Sequence, residues 1–299
     1  MPEIPPRYWA MVAALGITWG GTFMVVELAL QGITPVWLAA GRIGFASLLL
    51  CAIWAFRGFR LFSGRPNWPV VILVGVLSST LPFILISWGL QHVTSGFAGV
   101  SMSAVPLMVL PLAHFFANEP LTLRRLLGIV IGFFGVAVLI GGQAFVSNGA
   151  ELEWAGRLAC LAAAACYAVS SVLVRRLPEV DPVGLATVLL LIGTSVILPV
   201  ALVVEGPPPT ISHETWIWLA ILGLIPTAGA NLLRVLVIRG AGPTFMSLTN
   251  YLVPLCAVLL GALVLGEALP NSLISALGLI LAGVALSQYG ALKRLFGFT

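Results

Sequence analysis

Apolar residues run along this chain in long blocks, and the polar positions between them are few. From Trp9 to Leu30 the only charged residue is Glu27. A helix that crosses a bilayer needs about 20 apolar residues, with a range of roughly 17–25. Cutting the sequence at its charged and Pro/Gly-rich breaks predicts ten such helices: 8–28, 35–56, 68–90, 94–117, 122–142, 154–175, 182–204, 214–238, 242–265 and 270–291. The first run is longer than a signal-peptide core and no A-x-A site follows it, so it reads as a retained span. The connections are short, which makes neighbouring spans antiparallel. The longest break, QAFVSNGAELE at 143–153, divides the chain into residues 1–142 and 154–299 with five spans each.

Arginine placement predicts the orientation. With the N-terminus in the cytoplasm, eleven of the fourteen basic residues fall on the cytoplasmic side: Arg7, Arg57, Arg60, Arg65, Arg124, Arg125, Arg175, Arg176, Arg239, Lys293 and Arg294. Arg157 alone falls outside, and Arg42 and Arg234 lie within spans. A miscounted span would scramble this split, so both termini are expected inside and the 143–153 linker outside. Five spans is an odd number, so the second half enters the membrane in the opposite sense. At an offset of 148 residues the sequence repeats itself: Val105, Pro106, Leu107, Glu119 and Leu121 match Val253, Pro254, Leu255, Glu267 and Leu269. Gly135-Val136 matches Gly283-Val284, and weaker matches join Trp19 to Tyr167, Thr22 to Ser170, Ser101 to Thr249 and Met102 to Asn250. Pro111 and His114 have no counterpart; Leu259 and Ala262 stand there. Repeats of opposite orientation are the signature of transporters whose substrate site lies near the midplane between them.

Composition closes off other classes. The chain is 60% hydrophobic and 8% charged, with a mean hydropathy of +1.11. Soluble domains carry roughly a quarter charged residues, so a soluble fold of this length cannot cover its surface. The net charge of +4 reflects arginines placed at span ends, and no nucleic-acid partner is expected. Cys51, Cys160, Cys166 and Cys256 sit inside apolar runs without CxxC spacing and read as small buried hydrophobes. There is no HExxH, GxSxG or Walker A pattern and no pair of deep carboxylates. An enzyme, an ATP-driven pump, a metal and a cofactor are therefore not expected; a passive channel stays open.

Most tryptophans crowd the predicted span ends, as an interfacial belt does. Trp19 instead lies about 16 Å into the first helix at 1.5 Å per residue, where an indole N–H needs a partner or a wet cavity. Polar residues gather at similar depth on other spans. They are Thr18 and Thr22; Ser78, Ser79 and Thr80; Ser101 and Met102; Tyr167, Ser170 and Ser171; Asn231; and Thr249, Asn250 and Tyr251. Each serine or threonine alone is explained by a bond to its own helix, and each aromatic by packing. Six helices with a polar set at mid-depth point to cavity walls. The predicted substrate cavity is Trp19, Thr22, Ser79, Ser101, Met102, Tyr167, Ser170, Asn231, Asn250 and Tyr251. Pro106 and Pro254 lack an N–H and free the carbonyls of Met102 and Asn250, so each marks a hinge or a static kink.

Charge in the membrane is sparse. An arginine at a helix centre costs roughly 2.5–3.5 kcal/mol on insertion scales. Arg42 lies about 10 Å into the second helix; it either pairs with Glu27 or meets a substrate carboxylate, and the pair is the simpler reading. Arg234 snorkels from the inner end of the eighth helix. No Asp or Glu lies deep in a span, so no carboxylate proton relay is expected. Gly16-xxx-Gly20, Gly128-xxx-Gly132 and Gly278-xxx-Ala282 permit close helix contact, the last two in helices expected to be scaffold.

WGGTF at 19–23, Pro35 followed by the in-membrane Arg42, and the duplicated Pro106…Glu119 and Pro254…Glu267 blocks resemble the EamA-type branch of the drug/metabolite transporter superfamily. The resemblance covers nearly the whole chain. It implies an all-α exporter of small metabolites in the inner membrane, with ten helices in two inverted five-helix repeats and a cavity lined by helices 1, 3, 4, 6, 8 and 9. Within that branch the chain is similar to aromatic amino-acid exporters of the YddG type. One departure is Glu27, where many relatives carry a basic residue. The function expected is secondary transport of small neutral or zwitterionic metabolites, amino acids first, with a drug, nucleoside or sugar-type exporter as the alternative. The expected partners are that small molecule and the lipid bilayer; the sequence leaves oligomeric state open.

Overall fold

The structure, a computed structural model, describes residues 4–62, 64–117, 121–142 and 152–296. Glu119 and all of the predicted linker except its last two residues lie outside the described residues. Among the described residues the fold is helical, apart from one isolated antiparallel bridge between Phe62 and Val180. The apolar helices are α1 (Pro6–Leu30), α2 (Pro35–Phe56), α3 (Trp68–Gly89), α4 (Ser95–Phe116), α5 (Leu123–Gly142), α6 (Glu153–Val174), α7 (Pro182–Val204), α8 (His213–Ala241), α9 (Thr249–Leu265) and α10 (Asn271–Ser287). A short amphipathic helix, α11 (Tyr289–Phe296), follows. Eight of them, α1 to α8, are long and apolar enough to cross a membrane. The chain is thus a helical membrane protein. Large apolar side chains left exposed, such as Leu127, Val130 and Phe134 on α5, Leu202 on α7 and Leu263 on α9, are solvated by lipid in such a protein.

Helix starts follow local chemistry. Thr94, Asp181 and Ser212 accept hydrogen bonds from first-turn amides of α4, α7 and α8, and Pro35 and Pro182 occupy first positions where no N–H is needed. Gly266, at φ 68°, ends α9 in a left-handed turn that other residues rarely adopt.

The fourth and ninth segments differ from the uninterrupted helices expected. In α4 the helix stops at Met102 and restarts at Val105. Between them the Ser103 and Ala104 amides reach back three residues, to the carbonyls of Val100 and Ser101. Pro106 can supply no N–H to the turn before it, so the chain tightens there rather than bending smoothly. The ninth segment begins as a short helix, Pro243–Met246, turns through Ser247 and Leu248, and only then enters α9, which is 17 residues long. Pro254 leaves α9 unbroken. The two prolines match in sequence, but the breaks differ in place.

Helix contacts pair the halves of the chain. α5 lies along α10, and α2 along α7. α1 packs on α8 and α9, as α6 packs on α3 and α4, and α4 meets α9. At the α5–α10 contact a Cβ added to Gly128 would meet the Gly283 carbonyl at 2.6 Å, and one on Gly283 would meet the Gly132 amide at 2.6 Å. The expected Gly128/Gly132 face is therefore used, but its partner is Gly283. Gly278 has open space around it and does not make the contact. Gly16 and Gly20 lie against Leu252 and Cys256 of α9.

α2 and α7 are tied at both ends. Glu205, just after α7, accepts from the Thr34 hydroxyl at 2.5 Å and from the Val36 and Trp37 amides at 3.1 Å, capping α2. At the opposite end Arg57, just after α2, pairs at 2.8 Å with Asp181, the cap of α7, whose amide bonds the Leu61 carbonyl. Arg57 and Glu205 stand at the same place in the two halves, 148 residues apart. Arg157 is 1% exposed and paired with Glu153, one turn before it, so this lone basic residue on the expected outer side carries its own counter-ion.

Candidate functional site

The strongest polar convergence is built on a π-helical turn. Residues Gly223–Gly229 of α8 widen into i→i+5 geometry. Pro226 lies inside that turn and offers no N–H to the carbonyl of Leu222. That carbonyl is reached from Thr227 instead, whose hydroxyl donates to it at 2.7 Å. Three further side chains arrive at the same turn. Trp19 of α1 donates its indole N–H to the Pro226 carbonyl at 3.0 Å. Arg42 of α2 donates Nε to the Thr227 hydroxyl at 2.8 Å. Asn231, one turn on, donates to the Thr227 carbonyl at 2.5 Å. A π turn exposes backbone groups and recurs at functional sites. Here it gathers an aromatic ring, a cation and an amide within one turn of helix.

Arg42 is 6% exposed, and its guanidinium carbon stands 3.9 Å from the Phe83 ring centroid. Tyr167 of α6 lies within electrostatic reach of it and packs where two hydrophobic clusters meet. The expected ion pair with Glu27 is not formed. Glu27 lies on α1 against Glu267 instead, and every contact recorded for Arg42 is with an uncharged group. A buried arginine held by neutral groups is ready for an anionic ligand group, since an intramembrane cation otherwise pairs with one.

α3 holds a second π turn, Val76–Thr80, 148 residues before the middle of the first. Gly75, just before this turn, and Gly223, the first residue of the other, stand at equivalent positions. A Cβ on Gly223 would meet the Arg42 carbonyl at 2.9 Å, and one on Gly75 the Ile192 side chain at 2.8 Å. Each turn is thereby pressed onto the opposite half, α8 on α2 and α3 on α7. Ser79, which stands where Thr227 does, bonds its own helix at Gly75, and Thr80 reaches the Gly193 carbonyl of α7 at 3.3 Å.

The other predicted cavity residues divide. Thr22, Ser101 and Ser170 bond carbonyls of their own helices, at Thr18, Phe97 and Tyr167. Met102 packs against the main hydrophobic cluster, and Asn250 is half-buried. Tyr251 lines a cavity of about 480 Å³ with Trp9, Val12, Leu252 and Phe296, away from the π turn. Arg234 is exposed, three residues beyond Asn231 on the same face of α8. Pro226, Thr227 and Phe83 were not among the residues expected. A signal for the first two existed: Gly75 and Gly223 repeat at the 148 offset with a hydroxyl four residues on, at Ser79 and Thr227.

A helical membrane protein with internally paired helices and a polar knot in its interior has the build of a transporter. The profile of the EamA-like transporter family matches the chain twice, over residues 7–141 and 154–289, and the chain belongs to that family. It is 29% identical over 300 residues to the uncharacterized inner membrane transporter YedA of Escherichia coli K12, covering 98% of this chain and 94% of that protein. It is 25% identical over 297 residues to a probable terminal-alkyne amino-acid exporter of Streptantibioticus cattleyicolor, covering 98% and 96%. A crystal structure of a protein 21% identical superposes with a TM-score of 0.66 over 96% of this chain and 98% of that one, a likeness of fold.

Proposed function

We propose that this transporter exports small zwitterionic metabolites, amino acids with an apolar or aromatic body, by alternating access between two inverted five-helix repeats, residues 1–142 and 154–299. One observation carries this reading. Arg42 is buried with neutral partners, beside an indole and a phenol, at a π turn of the opposite half. A carboxylate supplies the counter-ion that Arg42 lacks, and an aromatic or branched body packs on Trp19, Phe83 and Tyr167. The likeness to an amino-acid exporter supports the same substrate class. The paired contacts of α1 with α8 and α9, and of α6 with α3 and α4, support the two-repeat arrangement, and the arginine distribution supports cytoplasmic termini in an inner membrane. In this reading α9 and α10 also span, their shorter length made up by local thinning of the bilayer and by flanking residues that reach the interface.

The test is transport into liposomes carrying the purified protein. Labelled phenylalanine, leucine and uncharged analogues without the carboxylate are offered with and without unlabelled competitor. Saturable, counterflow-competent flux that needs the carboxylate is expected. Flux of nucleosides or sugars without amino-acid flux moves the protein to the other substrate class, and unsaturable conductance makes it a channel.

A further inference from the structure

A second polar centre lies at the far end of α1 from its N-terminus, and the transport reading does not use it. Glu267, just after α9, accepts from the backbone amides that open α4: Ser95 at 2.6 Å and Gly96 at 2.9 Å. Its own amide bonds back to the Gly261 carbonyl at 3.1 Å. Glu27 of α1 brings its carboxyl against that of Glu267, within reach of the same Ser95 amide. Glu27 Oε2 is buried without a donor. Ser95 is fully buried, and its hydroxyl also has no partner. That hydroxyl points into the centre: a Cβ on Gly261 would lie 2.7 Å from it and would collide with Glu267. The pocket is closed by glycine on two sides, since a Cβ on Gly96 would stand 3.2 Å from Glu267.

Two ionised carboxylates in contact repel, and neither offers the other a hydrogen. One hydrogen between them turns the contact into a hydrogen bond, as in paired carboxylates that share a proton. The α4 amides, at a helix start, hold one negative charge, not two. Among the described residues neither carboxyl is in an ion pair. α1 offers Arg7 and Tyr8 near its other end. His92, before α4, lies against Trp88, Arg157 of α6 is paired with Glu153, and Arg42 of α2 is bound to Thr227. α8 opens with His213 and Glu214, α4 carries His114 in its last turn, α9 carries Tyr251 and Cys256, and α10 nothing titratable. The charged group that acts on Glu27 is Glu267.

We propose that Glu27, Glu267 and Ser95 form a proton-binding site that joins α1, α4 and α9, occupied by one shared proton while these helix ends are packed together. The proton bridges the two carboxyl groups, and the Ser95 hydroxyl is the acceptor or donor that relays it. Resting on the transport reading above, separation of these ends releases that proton and makes export proton-linked.

The site is tested apart from transport by infrared titration of the full-length protein in liposomes, without substrate. Wild type is expected to keep a protonated-carboxyl C=O band at neutral pH that shifts in deuterium oxide. Glu27→Gln is expected to lose it. Glu267→Gln keeps an oxygen for the Ser95 and Gly96 amides and is expected to lose it too. Absence of the band in wild type, its persistence in a folded Glu27→Gln protein, or its removal by sodium ions at fixed pH would each overturn the site. In vesicles loaded with a pH-sensitive dye, a phenylalanine gradient is expected to drive proton movement in wild type and at least tenfold less in Glu27→Gln. Phenylalanine flux without proton movement overturns the coupling. No phenylalanine flux with the band intact overturns the substrate reading and leaves the proton site standing.

Discussion

Arg42→Met separates a substrate anchor from a structural tie. Met fills a similar volume without charge. If Arg42 binds a substrate carboxylate, its removal costs a hydrogen bond between charged groups, about 1.5–3 kcal/mol. At about 1.4 kcal/mol per decade, the half-saturation concentration rises about 10- to 150-fold. Stability responds differently. The substitution forfeits the 2.8 Å bond to Thr227 and the contact with Phe83, about 1.5–3 kcal/mol for the first and up to about 2 for the second. It also removes a buried cation whose placement costs roughly 2.5–3.5 kcal/mol. These largely offset, so the unfolding temperature in detergent is expected to move by a few degrees at most. The assay is concentration-dependent uptake of labelled phenylalanine at matched protein, with Thr227→Val beside it. The anchor reading requires Thr227→Val to be milder, because the guanidinium keeps its charge. A half-saturation value within twofold of wild type in Arg42→Met refutes the anchor. Equal loss in both variants with a collapse of folded yield makes Arg42 a tie between α2 and α8.

Other outcomes are expected on the same footing. Trp19→Ala and Tyr167→Ala impair uptake more than Trp216→Ala, whose ring is half exposed; equal effects at equal expression would remove the two residues from the path. Cysteines at Met102 and Asn250 react with water-soluble maleimide in one access state and are protected by substrate, while inertness throughout would place both positions in packed protein. Gly283→Val puts branched carbons where the α5 backbone lies at 2.6 Å and costs about 1–3 kcal/mol as overpacking, read as a lower unfolding temperature; an unchanged temperature would mean that the α5–α10 contact yields freely.

How much of this was legible depends on the range over which each feature is encoded. Eight helices were readable because hydropathy is a local property, and Gly128-xxx-Gly132 marked the α5 side of the close contact with α10, whose partner is Gly283 rather than the expected Gly278. The π turns were not readable by hydropathy, since a widened turn keeps the same apolar composition; only the register of Gly75 with Gly223 carried a trace. Arg42 was assigned to Glu27 because both stand near one end of neighbouring helices. Rotation of α1 about its axis, which no local pattern fixes, sends Glu27 to α9 instead. The Glu27–Glu267 contact spans most of the chain, and each residue alone reads as an ordinary span-end acid. Thr22, Ser101 and Ser170 differ again: their polarity at mid-depth was visible, and each hydroxyl bonds a carbonyl of its own helix.

The irregularities are not spread evenly, and their distribution bears on which helices move. α2 and α7 are clasped at both ends by Glu205 and by the Arg57–Asp181 pair, and α5 and α10 meet through glycine backbones. Separating either pair breaks several charge-assisted bonds or opens a contact with no side chains to fill it. Broken or widened turns occur instead in α3, α4 and α8, and just before α9. Those helices can change angle at a turn that is already open, while α2 and α7 hold still beneath the π turns of α8 and α3. Alternating access in this chain is therefore expected to leave α2–α7 and α5–α10 distances fixed while α4 and α9 part at the Glu267 end. Spin-label pairs across α2–α7 and α4–α9 measure this directly: a substrate-dependent change across α2–α7 with none across α4–α9 would reverse the assignment.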